Sequence, residues 1–108
     1  MTDDPEVEIW MVTGRFHARS GREAELGAAL ARYVVLTRSV PGCRNVDLAL
    51  SASFPGRYLV VEKWDDPDAQ RAHLDADVTV EMATTVRPLL AEAPELELHE
   101  GISAYDLE

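Results

Sequence analysis

Two strand-like segments near the middle of the chain lie one short turn apart. Residues 45–50 alternate polar and apolar side chains, residues 57–64 have an apolar centre, and a Pro-Gly turn at residues 53–56 separates them, so we expect a hairpin. A strand and a helix pattern precede it, and a helical region and a strand follow it. This order predicts an α+β protein with a ferredoxin-like, four-stranded antiparallel sheet and helices on one face.

The segment before the hairpin combines a strand with an amphipathic helix. Residues 7–16 are largely apolar at both sets of alternating positions, which predicts a central strand covered on both faces. Ser20 and Glu23 match a capping box, so the helix is expected to begin there and to end near Ser39. The apolar side chains on one stripe of this helix, which we interpret as core, are Leu26, Leu30, Tyr33 and Val34.

The segment after the hairpin predicts two helices and a last strand. Asp66 can cap the first helix, and Pro67 suits its first position. Asp77 can cap the second, which we expect to run to about residue 91, with Pro88 either kinking it or limiting it near its end. Leu96, Leu98 and Ile102 are then expected to alternate along a final strand.

The predicted sheet has one face that its own helices do not cover. A chain of 108 residues fits a single domain, residues 1–108 with a core at about 7–104. Because the first and third strands carry apolar side chains on both sides, the open face needs a cover. A second copy of the chain is the simplest one, so we expect a homodimer.

Charge and composition exclude several classes of protein. The formal net charge is −10, which repels nucleic-acid backbones and anionic membrane surfaces. No apolar stretch approaches the roughly 20 residues of a membrane helix. Cys43 is the only cysteine, so no disulfide forms within the chain, which suits a cytoplasmic protein. We therefore expect neither nucleic-acid nor membrane binding.

Three short motifs occur together in an informative order. Val40-Pro41-Gly42-Cys43 leads into the hairpin, Glu62-Lys63-Trp64 ends it, and Ala72-His73 lies on the following helix. In this order and spacing the chain resembles the antibiotic biosynthesis monooxygenase family over roughly residues 7–104. Two features differ from related patterns: a second histidine of the family is replaced by Val78, and the asparagine that haem-degrading relatives carry on the first strand is absent.

The resemblance implies both an architecture and an activity. It implies a dimeric α+β barrel in which the open sheet faces of two subunits pack together, with a pocket between sheet and helices in each. Members of the family include oxygenases of polyketide anthrones and quinols that need no cofactor, so no cofactor is expected. The implied ligand is a small hydrophobic or aromatic molecule.

His73 and Glu62 are the candidate catalytic residues. An imidazole with a pKa near neutrality can take a proton from a phenolic or quinol substrate, and the anion left behind can pass an electron to oxygen. Glu62 lies in an apolar strand, so its carboxyl group must be paired, hydrogen-bonded or protonated. The alternative for both is structural, with Glu62 and His73 as partners that hold the strand end against the helix.

Trp64, Trp10 and Asn45 are the candidate substrate-binding residues. Either indole can stack on a flat aromatic ring, and Trp64 shares the face of Glu62 by strand alternation. Their alternative role is packing in the core or in a dimer interface. Asn45 lies on the mixed face of its strand and can line a pocket or cross an interface. The three histidines are far apart in sequence, and their spacing does not indicate a metal site.

Three functions are compatible with these residues. The first is a cofactor-independent monooxygenase acting on a small aromatic, polyketide or quinol-type substrate. The second is a dimeric binding module without catalysis, in which Glu62 and His73 are scaffold. The third is a haem-binding or haem-degrading protein, for which His73 is the only candidate ligand.

Overall fold

A computed structural model describes residues 9–104, and the fold is built from four strands and three helices in the predicted order. The strands and helices are β1 (Trp10–His17), α1 (Glu23–Thr37), β2 (Cys43–Leu50), β3 (Arg57–Trp64), α2 (Pro67–Leu74), α3 (Asp77–Val86), a 3₁₀ turn (Arg87–Leu89) and β4 (Glu95–Glu100). The predicted start of the first strand at Val7 lies outside the described residues. No helix among residues 9–104 is long and apolar enough to cross a membrane.

The four strands form one antiparallel sheet in the order β2-β3-β1-β4. Residues 43–64 form the predicted hairpin, and β1 and β4 complete the sheet beside it. In the register of β1 and β3, Trp10 lies opposite Trp64 and Val12 opposite Glu62. This topology is the predicted ferredoxin-like α+β fold.

Helices α1 and α3 pack on each other, and α1 also contacts β2 and β3, so one face of the sheet is covered. The predicted stripe of α1 is buried, which confirms the 3.6-residue periodicity as the signal for this helix. Val46 of β2 and Val60 of β3 meet that stripe in the core. The core therefore lies between the sheet and α1, and it extends to Phe16 of β1 and to Val86 at the end of α3.

One of the three predicted helix caps is present in the structure and two are not. Asp66 caps α2 as predicted, because its side chain accepts a hydrogen bond from the backbone N–H of Asp68. The predicted caps at Ser20 and Asp77 are wrong, because the N-cap positions are held by Arg22 and Ala76, neither of which forms a side-chain cap hydrogen bond. Helix α1 begins at Glu23 without a side-chain cap, because the carboxylate of Glu23 instead accepts from the backbone N–H of Gly21.

Helix α3 and strand β4 both end earlier than their sequence patterns predict. Helix α3 ends at Val86, and a 3₁₀ turn containing Pro88 follows it. Proline therefore limits the helix, but the helix ends before the predicted end near residue 91. Strand β4 ends at Glu100, and Ile102 beyond it is 98% exposed. The prediction that Ile102 belongs to the last strand is therefore wrong.

Candidate functional site

A carboxylate and an indole from the end of β3 lie buried side by side under the helices. Glu62 and Trp64 are two residues apart on one strand, so both side chains point to the same face of the sheet. Glu62 is 6% exposed and Trp64 is fully buried. The indole Nε1–H of Trp64 donates a hydrogen bond of 2.9 Å to Oε1 of Glu62, which supplies one of the partners that a buried carboxylate requires.

Two helices contribute the other members of this cluster. The hydroxyl of Tyr33, on α1, donates a 2.6 Å hydrogen bond to Oε2 of Glu62. The same hydroxyl lies 2.9 Å from Nε2 of His73, on α2, and Thr37 Oγ1 lies 3.3 Å from that nitrogen. The imidazole also packs against Trp64, with ring centroids 5.0 Å apart. Glu62 and His73 are therefore joined through Tyr33.

The number of protons in this chain of hydrogen bonds assigns the tautomer of His73. Tyr33 has one hydroxyl proton, and it is donated to Glu62. The Tyr33 oxygen must then accept from His73, so Nε2 of the imidazole carries the proton. In the neutral ring Nδ1 is left with a lone pair. This nitrogen is buried and has no hydrogen-bond partner among residues 9–104, which makes it the one vacant acceptor of the cluster.

Burial and charge act in opposite directions on His73. Removal of the imidazole from water lowers the pKa of His73 below its ordinary value of 6.5, and the negative charge of Glu62 partly offsets this by raising it. The pKa of Tyr33 is raised well above its usual range, first by burial and then by the neighbouring Glu62 carboxylate. At neutral pH the cluster thus holds a neutral phenol and a neutral imidazole.

A small recess adjoins the cluster on the helix side of the sheet. Its volume is about 50 Å³, which is room for a few water molecules. The residues that line it are Val12, Gly14, Phe16, Tyr33, Val60, Glu62, Gln70, His73, Leu74, Thr79, Met82 and Leu96. We call this space the inner recess. Its wall is mostly apolar, and the polar cluster of Tyr33, Glu62 and His73 forms one part of it.

A wider cleft continues outward from the inner recess. The two share five lining residues, namely Phe16, Leu74, Thr79, Met82 and Leu96. The outer cleft has a volume of about 640 Å³, within the range of small-molecule sites. The rest of its lining comes from the loop after β1, from α3 and from the segment that leads to β4, and consists of Arg19, Ala83, Val86, Arg87, Leu90, Ala91, Glu92, Ala93 and Pro94.

The structure brings together three of the five site residues predicted from sequence, because Trp64 contacts both Glu62 and His73. His73 and Glu62 both line the inner recess. Trp64 lies behind them, fully buried and outside the lining of either cavity. Trp10 lies opposite it on β1. Asn45 pairs in register with Lys63 and therefore lies on the other, open face of the sheet; roles in substrate binding for these three remain predictions.

Sequence reasoning missed two polar residues of this site. Tyr33 was assigned to the core by its helical stripe, and the rule that a buried phenol needs a partner would have marked it as a polar residue. Gln70 lies one turn before His73 on α2, is 7% exposed and lines the inner recess. Its side-chain amide has no hydrogen bond within residues 9–104, and neither amide atom is among the fully enclosed polar atoms that lack a partner, so the amide is not completely closed off.

The other two histidines lie away from the inner recess. His17 Nδ1 is 2.8 Å from a carboxylate oxygen of Glu92, and His99 Nε2 is 2.9 Å from the hydroxyl of Thr13 on β1. Within the part of the chain that the structure describes, no group of three histidine, cysteine or acidic side chains is arranged to hold a metal ion.

Fold and site together define a small α+β protein with a ligand-sized cavity between its sheet and helices and a buried polar cluster at the inner end. The family model for antibiotic biosynthesis monooxygenases matches residues 9–85, more than half of the chain. The protein therefore belongs to this family, as the sequence motifs predicted. A search of the curated proteins finds no match.

Solved structures show the same fold over most of the chain. A Nitrosomonas europaea protein, provisionally named an antibiotic biosynthesis monooxygenase, superposes with a TM-score of 0.86 at 16% identity and covers 93% of this chain and 96% of its own. A Shewanella oneidensis protein gives 0.80 at 29% identity, with coverage of 87% and 91%. A Mycobacterium tuberculosis protein gives 0.78 at 24% identity, with coverage of 92% and 97%.

Proposed function

We propose that the protein is a cofactor-independent monooxygenase that oxidises a small aromatic substrate of the anthrone or quinol type, with His73 as the base. The observation that carries the proposal is the buried Nδ1 of His73, an acceptor without a partner beside the inner recess. Family membership supports the reaction class. A ligand hydroxyl or acidic C–H that enters the recess would give this nitrogen its missing partner.

The polar cluster suits a base that must be neutral before the reaction and charged after it. Burial keeps the pKa of His73 low, so the imidazole is free to accept a proton. Once it has done so, Glu62 can stabilise the imidazolium through Tyr33, whose hydroxyl contacts both side chains. In this proposal Glu62 and Tyr33 are positioning residues, because their polar atoms are already occupied within the protein.

The proposed reaction balances without an external reductant. For an anthrone, the ring CH₂ gives one proton to His73, and the carbanion passes one electron to dioxygen. Recombination of the two radicals forms a C–O bond, and the resulting peroxide takes the proton back. Loss of water breaks the O–O bond and removes the second hydrogen of the carbon, which leaves a ketone. One oxygen atom enters the product, the other enters water, and the substrate supplies all four electrons.

Gln70 fits the same chemistry as an orienting group. Its amide borders the inner recess one helical turn from His73 and has no partner among the described residues. A hydrogen bond from this amide to the carbonyl or phenol oxygen of the substrate would satisfy both groups. It would also favour the substrate anion, since developing negative charge on that oxygen strengthens the bond.

Oxygen uptake is the test of this function. Purified protein in the presence of a chelator is expected to consume oxygen with at least one member of a panel of anthrones and hydroquinones. His73→Gln should lower the rate by about 100-fold or more, the usual contribution of a general base. His99→Gln, which removes a histidine on the open face, is the matched control. No turnover across the panel, or an unchanged rate in His73→Gln, would refute the proposal.

A dimeric binding module is the second candidate, and the completeness of the Glu62 interactions favours it. Both carboxylate oxygens already accept hydrogen bonds from within the protein, as expected of a scaffold. A ligand should then raise the melting temperature by mass action without being oxidised. If Glu62→Gln only lowers the stability of the fold, the result agrees with this candidate. If Glu62→Gln leaves stability intact but abolishes an oxidation reaction, the candidate is excluded. A haem-binding role has less support, because Nε2 of its candidate ligand His73 is already engaged by the hydroxyl of Tyr33.

We also propose that the protein is a homodimer formed through the open sheet face. Met11, Leu59 and Val61 lie on that face and are only partly buried in the single chain, so a second copy would remove apolar surface from water. Sedimentation equilibrium tests this assembly: a mass near 24 kDa, twice the 12.0 kDa of the chain, is the expected result, and a monomer at all concentrations would contradict it.

A further inference from the structure

Arg87 lies at the rim of the outer cleft and differs from the other basic side chains in its interactions. The chain has 10 basic and 20 acidic residues, so an exposed arginine easily finds a carboxylate. Within the described part of the chain five arginines form ion pairs, as with Arg32 and Glu81 or Arg71 and Asp68. Among residues 9–104, the guanidinium of Arg87 is the one basic group without a hydrogen bond, ion pair or ring contact.

A second arginine lines the same cleft. The Nε–H of Arg19 donates a 2.8 Å hydrogen bond to the backbone carbonyl of Leu90, which fixes its side chain against the cleft wall. Glu92 is the acidic residue in this lining, and its carboxylate is already engaged by His17. The remaining wall is largely apolar. The outer cleft thus combines apolar surface with two guanidinium groups, in a protein whose overall charge is strongly negative.

We propose that the ligand of this site carries an anionic group, of carboxylate type, that Arg87 binds at the rim of the outer cleft with Arg19 nearby. This inference rests on the proposed function for the inner end of the ligand, where a hydroxyl or acidic C–H meets His73. The ligand is then an aromatic acid with its reacting group in the inner recess and its anion at the rim. Arginine suits the role because its planar fork matches the two oxygens of a carboxylate.

A pair of probes that differ only in charge tests the inference. We would measure, by isothermal titration calorimetry in anaerobic buffer, the binding of a hydroxynaphthoate with its hydroxyl and carboxylate on opposite rings. The matching hydroxynaphthamide keeps the shape and removes the charge. Wild type should bind the carboxylate about 5- to 10-fold more tightly than the amide, and added salt should reduce this preference.

Two matched variants locate the effect. Arg87→Gln should reduce the preference to less than about twofold, while Arg71→Gln, which removes the same charge from α2 outside the cleft, should retain it. Equal binding of both probes by wild type, an unchanged preference in Arg87→Gln, or no binding of either probe up to about 1 mM would overturn the inference. Because no turnover is needed, a preserved preference without oxygen uptake would refute only the proposed reaction.

Discussion

The clearest consequence of the buried cluster is the effect of removing one oxygen atom from Tyr33. Tyr33→Phe keeps the ring but deletes the hydroxyl that donates to Glu62 at 2.6 Å and accepts from His73. A hydrogen bond to a charged group contributes about 1.5–3 kcal/mol and a neutral one about 1 kcal/mol. We therefore expect the free energy of unfolding to fall by about 2.5–4 kcal/mol, a large part of the stability of a small protein.

Tyr58→Phe is the matched control for this substitution. The hydroxyl of Tyr58 donates a single hydrogen bond of 2.9 Å to the backbone carbonyl of Glu23, at a partly buried position, so its loss should cost only about 1 kcal/mol. Urea unfolding followed by tryptophan fluorescence, at one fixed protein concentration, measures both variants. If Tyr33→Phe costs no more than Tyr58→Phe, the cluster does not stabilise the fold through Tyr33, and the tautomer assigned to His73 loses its basis.

Two further predictions follow from the pKa of His73 and from the turn before β2. Burial lowers the pKa of His73 below 6.5, so the unfolded chain binds a proton at this residue more readily than the native chain does. The free energy of unfolding should therefore fall as the pH drops below about 6.5, by at most about 1.4 kcal/mol per pH unit. Above that pH the contribution of His73 should stay constant. Urea unfolding at a series of pH values should show this slope in wild type, and its persistence in His73→Gln would contradict the assignment. The other prediction concerns two glycines with a positive φ, Gly42 at +88° and Gly21 at +84°. A Cβ added at Gly42 would lie 2.6 Å from Cβ of Ala69 on α2, whereas a Cβ at Gly21 would meet no atom within 4 Å. Gly21→Ala should cost about 1–2 kcal/mol from strain and Gly42→Ala about 1–3 kcal/mol more from the clash; equal losses in thermal unfolding would contradict this account of the turn.

The fold was largely predictable because its signals are local. The hairpin, the buried stripe of α1 and the Asp66-Pro67 start of α2 each depend on a few neighbouring residues, and each is present in the structure. The errors arose where local signals compete. Ser20 and Glu23 have the spacing of a capping box, but the Glu23 side chain bonds to Gly21 and the helix begins later.

The candidate site was predictable only in part because its contacts are long-range. Alternation along β3 predicts that Glu62 and Trp64 share a face, and the helix pattern places His73 after them. Nothing local shows that Tyr33, which is 40 residues from His73, lies between the two. Alternation with Val46 correctly placed Asn45 on the mixed face of β2, and its pairing with Lys63 puts it on the open side of the sheet. No local pattern shows what covers that face.

Transfer of isotopically labelled oxygen tests the proposed activity most directly. An active substrate from the anthrone panel is incubated with wild-type protein under ¹⁸O₂, and the product is analysed by mass spectrometry. The proposed reaction predicts one atom of ¹⁸O in each product molecule and the other in water, with both lost in His73→Gln. Product without the label, or hydrogen peroxide formed in equal amount to the product, would show that the protein does not insert oxygen and would contradict the proposed function.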